Sequence, residues 1–217
     1  VTAEAWGPEQ AARYREGRVF SDADRHVLDM LAGARPRTLI ELGCGPGVIR
    51  ERAGSVKRYV CTDGSVHFLR LMPHTSEPDL RACCDCRWIP FRDGSADCVL
   101  AMAVLHHLDD AGIDRSLSEV SRVLGPGGLF LLLEDWCLPD DPTPFERAAR
   151  KVRFGQGPRE NHLESDGWIE KMEKSGLDFE DVTWVQRPFH SRDIRLAGWP
   201  PSARVVRMGC FRAVRPR

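Results

Sequence analysis

Apolar residues along this chain gather in short runs, each followed by a glycine- or acid-bearing turn and then by an amphipathic stretch. Five runs read as buried strands: Thr38–Leu42, Arg58–Thr62, Leu80–Cys84, Ala96–Met102 and Leu129–Leu133. The fourth is apolar at consecutive positions, as a central parallel strand is. Between them lie helical patterns. Ser21 is a good N-cap with Asp22 and Asp24 in the first turn, and Val27, Leu28, Met30 and Leu31 form the apolar stripe. Val48–Gly54 has the composition to start a helix after the first strand. Ser65 can cap a helix Val66–Met72. Ile113–Leu124 carries apolar residues at 113, 117, 120, 123 and 124, and Gly125-Pro126-Gly127-Gly128 breaks it. Strand and helix alternate, which predicts a parallel sheet covered on both faces.

The ends differ from the middle. Trp6–Arg18 is a polar lead-in with helical potential and Tyr14 at its centre. After residue 134, Thr143–Phe154 and Ser165–Ser175 read as helices, the second ended by Gly176. Phe179–Arg187 and Val205–Val214 read as two strands with no helix between them, so an antiparallel pair at the sheet edge is expected. The expected organisation is one domain over 1–217, with a helical cap (1–36), a core (37–134) and a flanking region with the strand pair (135–217).

Composition narrows this picture only slightly. The 217 residues are 42% hydrophobic and 29% charged, and formal net charge is −1, which lends no support to nucleic acid or an anionic membrane as partner. No apolar run approaches the roughly 20 residues that span a bilayer, and Val1–Trp6 lacks the basic start and apolar core of a signal peptide. A cytoplasmic location is the expectation. Eight cysteines, several inside apparent core strands, read as reduced thiols acting as small hydrophobes. Cys83-x-x-Cys86 has zinc-like spacing but no second pair beside it, and Cys83 should face the sheet interior, so no metal is expected.

The chemistry centres on Glu41-Leu42-Gly43-Cys44-Gly45-Pro46-Gly47. A strand that stops at a glycine turn and re-enters as a helix exposes backbone N–H groups to a ligand. The glycines do not fall where a dinucleotide fingerprint needs them, and no Lys-Ser/Thr pair follows, so neither that fingerprint nor a P-loop fits. Glu41 before the first glycine suits a ligand with a cationic end, such as an amine or a sulfonium. Asp63 ends the second strand twenty positions after Gly43, where an acid can hold two ribose hydroxyls.

ELGCGPG, Asp63, Asp85-x-x-x-x-Pro90-Phe91 and Leu124-x-Pro126-Gly127-Gly128 together resemble the class I S-adenosylmethionine (SAM) dependent methyltransferases, in their small-molecule, type-11-like branch. The resemblance covers about residues 37–134. It implies a three-layer α/β/α Rossmann-like sandwich, with a seven-stranded, mostly parallel sheet whose last strand runs antiparallel. It also implies SAM as cofactor and S-adenosylhomocysteine as product. The cofactor-binding residues it points to are Glu41, Gly43, Cys44, Gly45, Gly47, Asp63, Gly64, Asp85, Cys86, Ala101, Met102 and His106. Asp85 would accept from the adenine amino group, with Trp88 or Ile89 packed on the ring.

His106 and His107 follow the fourth strand. Either imidazole can serve as a general base, and His106 is expected to be the inward one. Tyr14, Glu134, Trp136 and His162 are expected at the acceptor. The expected reaction is methyl transfer to a small-molecule acceptor, with oligomeric state open. The arginine-rich tail keeps a protein, peptide or RNA acceptor as a rival. Two further rivals remain: a SAM-binding protein that catalyses cyclisation or rearrangement without methylating, and a regulatory SAM binder.

Overall fold

The computed structural model describes residues 7–54, 56–73, 80–134, 137–154, 161–188 and 198–217. Seven strands form one sheet: β1 (Thr38–Leu42), β2 (Arg58–Asp63), β3 (Leu80–Cys83), β4 (Ala96–Met102), β5 (Leu124–Glu134), β6 (Asp178–Pro188) and β7 (Val205–Val214). Their spatial order is β3-β2-β1-β4-β5-β7-β6. Strands β1 to β5 pair in parallel, and β7 runs antiparallel to both β5 and β6. Among the described residues six α-helices accompany them: α1 (Pro8–Gly17), α2 (Asp22–Ala34), α3 (Val66–Leu71), α4 (Asp110–Val123), α5 (Pro144–Phe154) and α6 (Ser165–Lys174).

The period of two in the strands sorts their side chains onto two cores. In β4, Val99 and Ala101 face a core shared with Ile113, Leu117 and Val120 of α4 and Trp168 and Met172 of α6. Cys98 and Leu100 face the opposite core, with Val27 and Leu31 of α2 and Leu131 and Leu133 of β5. Among the described residues the cysteines are free thiols, and Cys44, Cys61, Cys98 and Cys210 all lie in that second core.

Three expected elements take a different form. Val48–Gly54 is a series of turns, with separate i→i−4 bonds from Glu51 to Gly47 and from Ala53 to Ile49, and no regular helix follows the glycine motif. The helix start expected there is therefore absent from the described structure. Gly125-Pro126-Gly127-Gly128 does not separate a helix from a strand; it lies inside β5. Leu124 pairs with Ala96 and Leu129 with Cys98, so the four residues bulge out of the ladder. Cys83 ends edge strand β3 and is exposed, because that strand has a neighbour on one side only.

The N-cap of α2 follows the sequence closely. Ser21 and Asp24 form a capping box, and Asp24, fully buried, also receives the Arg18 guanidinium. Ser65 takes the N-cap position of α3 without a side-chain capping bond. No helix among the described residues is long and apolar enough to cross a membrane.

Candidate cofactor and acceptor site

The chain order runs β1, β2, β3 to one side and then returns to β4 on the other side of β1. Ligands of open α/β sheets bind beyond the carboxyl ends of the strands at such a reversal. A cavity of about 470 Å³ opens there, within the size range of small-molecule sites. Of the residues expected at the site, Tyr14, Gly43, Gly45, Asp63, Gly64, Asp85, Cys86, Met102 and His107 line it.

The glycine turn shapes the first wall. Gly43 has φ +62°, and a Cβ there would stand 2.4 Å from Cγ2 of Val104. Gly45 has φ +52°, but a Cβ there would first meet Tyr14 Cε1, at 4.0 Å. Alanine at 43 therefore meets both backbone strain and a clash, and alanine at 45 meets the strain alone. Gly43→Ala is expected to lower unfolding free energy by about 2–4 kcal/mol and Gly45→Ala by about 1 kcal/mol, read by urea titration. Equal losses would count against this account of the turn.

Asp63 forms the floor. Its carboxylate is 9% exposed and accepts from Gly45 N at 2.9 Å and from Ser65 N at 2.8 Å, one bond to each oxygen. Burial raises its pKa, and the two backbone donors oppose that rise. A carboxylate accepts about four hydrogen bonds, so each oxygen keeps a lone pair for a neighbouring diol. Opposite, Asp85 receives Arg87 in a fork, with Nε at 3.0 Å from both oxygens and Nη2 at 2.5 Å from Oδ2. That pairing with Arg87 holds the Asp85 carboxyl below the usual range. Cys83 and Cys84 also line this wall, and burial pushes the Cys84 thiol up to about 11.

Several expected residues do other work. Glu41 does not line the cavity. Its side chain points into the sheet's second face, where it is 3% exposed and accepts from the Tyr59 hydroxyl at 2.8 Å. Cys44 likewise turns into the second core, its Sγ 3.9 Å from Met72 Sδ. Gly47 faces Met72 and Ala101 is fully buried in the first core; neither lines the cavity. Ile89 is a core residue, and Trp88 is 63% exposed with the Arg115 guanidinium 4.2 Å from its ring centre, so neither packs on this cavity.

The two histidines exchange roles. His106 is 5% exposed, and its Nδ1 lies 2.5 Å from Oε2 of Glu134. Glu134 is fully buried and also accepts from Leu105 N at 2.9 Å. It therefore pins the 3₁₀ turn Leu105–His107 and does not line the cavity. His107 is the imidazole on the cavity wall. The His162 ring stacks on His106 at 5.0 Å, and Asn161 N donates to the His106 carbonyl, so His162 braces the turn from behind and does not line the cavity. Trp136 lies outside the described residues.

Val104 also lines the cavity and was not expected there. Ala103 has φ +52°, a conformation few non-glycine residues adopt, and it turns the chain from β4 toward His107. Nothing in its residue type signals that. Phe68 of α3 was also missed; it meets Tyr14 of α1 edge-on at 5.4 Å. Among the described residues no group of three His, Cys, Asp or Glu side chains is arranged to hold a metal ion.

Burial pushes the Glu41 carboxyl up to about 8; the Tyr59 hydroxyl opposes this and the Asp63 charge adds to it. A raised folded-state pKa contributes stability that is full below the unfolded value of 4.5 and is lost as pH rises through about 8. Glu41→Gln keeps an acceptor for Tyr59 and removes the titration. Relative to wild type, the variant is expected to gain about 1.4 kcal/mol per pH unit between pH 5 and 8 and to level off above. Urea melts of both proteins across that range check it; parallel curves would refute the buried proton.

A glycine turn, a strand-end acid beneath it and an open cavity at the reversal of a parallel sheet define an α/β protein suited to a nucleoside-bearing ligand. A family model of a methyltransferase domain matches residues 40–132. The chain is 28% identical to the 27-O-demethylrifamycin SV methyltransferase of Amycolatopsis mediterranei (strain S699) over 189 residues, 80% of this chain and 68% of that protein. It is 27% identical to a probable tRNA methyltransferase 9B of Bos taurus over 165 residues, 72% of this chain but only 34% of that protein. Among solved structures, the Burkholderia thailandensis 1,6-didemethyltoxoflavin-N1-methyltransferase with bound 1,6-didemethyltoxoflavin and S-adenosylhomocysteine superposes with a TM-score of 0.67. The identity is 15%, over 96% of this chain and 86% of that one.

Residues 40–132 match a methyltransferase domain, and the chain is similar to the class I SAM-dependent methyltransferases in these motifs and in fold. Its cofactor is SAM, and the cavity fits it. The Asp63 lone pairs can accept from a diol, the glycine turn leaves room for close approach, and Asp85 and Cys86 line the same cavity.

Proposed function

We propose that this methyltransferase acts on a small-molecule acceptor carrying an O–H or N–H group, and that His107 receives the acceptor's proton. The observation behind this reading is the shared wall: His107, Met102 and Tyr14 line the same cavity as Asp63 and the glycine turn. When bound, SAM supplies a methyl group on a sulfonium that is already a good leaving group. The remaining tasks fall to the chain. Asp63 and the turn fix the cofactor's position. Tyr14 and Phe68 cover the opening and exclude water. His107, held by a turn that Glu134 anchors, takes a proton at its ring nitrogen as the acceptor's lone pair attacks.

The rifamycin and toxoflavin relatives support a small acceptor, and the tRNA relative supports the rival. The basic tail favours the small molecule. Arg207 is held by Glu146 and Asp141, Arg212 by Glu180, and Arg215 by the carbonyls of Arg122 and Leu124. Guanidinium groups so occupied are poorly placed to follow a phosphate backbone.

The test is transfer of labelled methyl from SAM to three acceptor pools: a panel of phenols, alcohols and amines, total tRNA, and unstructured peptides. Label in the first pool alone is expected. Label confined to tRNA or peptide would overturn the acceptor class. Binding of SAM with no label in any pool would favour a non-methylating role.

A further inference from the structure

A second recess, of about 210 Å³, shares no lining residue with the cofactor cavity. It forms where the end of α1 and its connection to α2 meet the turns after the glycine motif. Arg15, Arg18 and Phe20 come from the first segment; Pro46, Glu51 and Arg52 come from the second. The Arg52 guanidinium lies 4.6 Å from the Phe20 ring centre, and that of Arg25 lies 5.7 Å from it.

Three guanidinium groups converge there against a single lining carboxylate. Glu51 faces Arg52 at 3.1 Å, and Asp24 takes Arg18 from behind. Arg15 has no ion pair among the described residues. One positive charge therefore remains unbalanced in a small polar recess. Guanidinium forks match the oxygens of phosphate and carboxylate, and a bound oxyanion would relieve the repulsion between them.

The recess also joins two parts of the cofactor site. Tyr14, which lines the cofactor cavity, directly precedes Arg15 in α1. Gly45, on the same cavity, directly precedes Pro46. Whatever bridges Arg15 to Arg52 holds α1 against the glycine motif.

We propose that this recess binds a phosphate-type oxyanion, and that the bound anion ties α1 to the glycine motif and strengthens cofactor binding. The coupling half rests on the SAM-binding reading; the anion site does not. Coupling of this kind is reciprocal, so an anion that tightens the cofactor is itself tightened by it.

The experiment is titration calorimetry of the full chain with inorganic phosphate, at constant ionic strength set with potassium chloride. It is repeated on Arg15→Gln and Arg52→Gln, each first shown to be folded by its thermal melt. S-adenosylhomocysteine is then titrated with and without phosphate. Wild type is expected to bind phosphate, and both variants to lose most of that binding. Phosphate should tighten S-adenosylhomocysteine about fivefold in wild type alone.

A parallel arm with phenyl phosphate separates the sources. Binding equal to that of inorganic phosphate would assign the site to the head of a larger phosphorylated metabolite; binding of inorganic phosphate only would assign it to the free ion. No phosphate binding in wild type, or equal binding in the variants, would overturn the site. Phosphate binding without any change in S-adenosylhomocysteine affinity would overturn the coupling. Phosphate binding in a protein that takes no S-adenosylhomocysteine would instead count against the SAM reading and leave the anion site standing.

Discussion

Asp63→Ala is expected to weaken S-adenosylhomocysteine binding about 100-fold, the equivalent of about 3 kcal/mol. Two losses combine. The first is the pair of charge-assisted hydrogen bonds that a ribose diol would make to the carboxylate. The second is internal: Gly45 N and Ser65 N lose their acceptor, and the glycine turn loses the tie that joins it to the end of β2. Asp63→Asn separates the two. Its amide oxygen can keep one of the backbone donors, while its NH₂ group faces the other, so the turn is half held. Calorimetry should place its affinity between wild type and the alanine variant. An alanine variant that binds S-adenosylhomocysteine within threefold of wild type would remove Asp63 from the cofactor site. A fully unfolded alanine variant would be distinguished by its melt, and the asparagine variant would then decide.

His107→Gln is expected to lower kcat by about 100-fold or more, with S-adenosylhomocysteine affinity changed less than about threefold. The side chain stands on the cavity wall, whereas His106 is buried against Glu134. The same substitution at His106 should act differently. Removing a buried ring bonded to a buried carboxylate is expected to cost about 2–3 kcal/mol of stability and to loosen the turn that carries His107. The two variants therefore separate a proton acceptor from a brace. The wild-type pH–rate profile should show an acidic limb that His107→Gln lacks, because protonating the imidazole removes the base. If His107→Gln keeps the wild-type rate and profile, the acceptor loses its proton elsewhere, or attacks without needing to lose it.

The family relationship and these substitutions bear on different levels. The fold and the cofactor follow from a glycine motif and a strand-end acid that sit on consecutive strands of one sheet. On the proposed reading, the acceptor is chosen by flanking residues, among them Tyr14 from α1, which lines the cavity. Those flanks come from parts of the chain far from the glycine motif in sequence, and only packing brings them to it.

Much of the fold was legible in the sequence. Strands β1 and β4 have the limits read from their apolar runs, because a buried parallel strand must be apolar on both faces and stops where polar turns begin. The antiparallel pair at the end followed from two strand patterns with no helix between them. Gly43, Gly45, Asp63 and Asp85 reach the cavity because strand ends in this topology all point one way. Side-chain direction was not legible. Glu41 stands two residues before the first glycine, but strand alternation turns it to Tyr59 and the second core, and burial keeps its proton. His106 and His107 are adjacent and chemically identical. Only the placement of Glu134, 28 residues later on β5, decides that the first is anchored and the second faces the cavity. A periodic pattern determines which residues are buried, because burial is set locally by the strand or helix repeat. Which polar groups pair, and which are left to meet a ligand, depends on distances between separate strands, and those exist only once the sheet has formed.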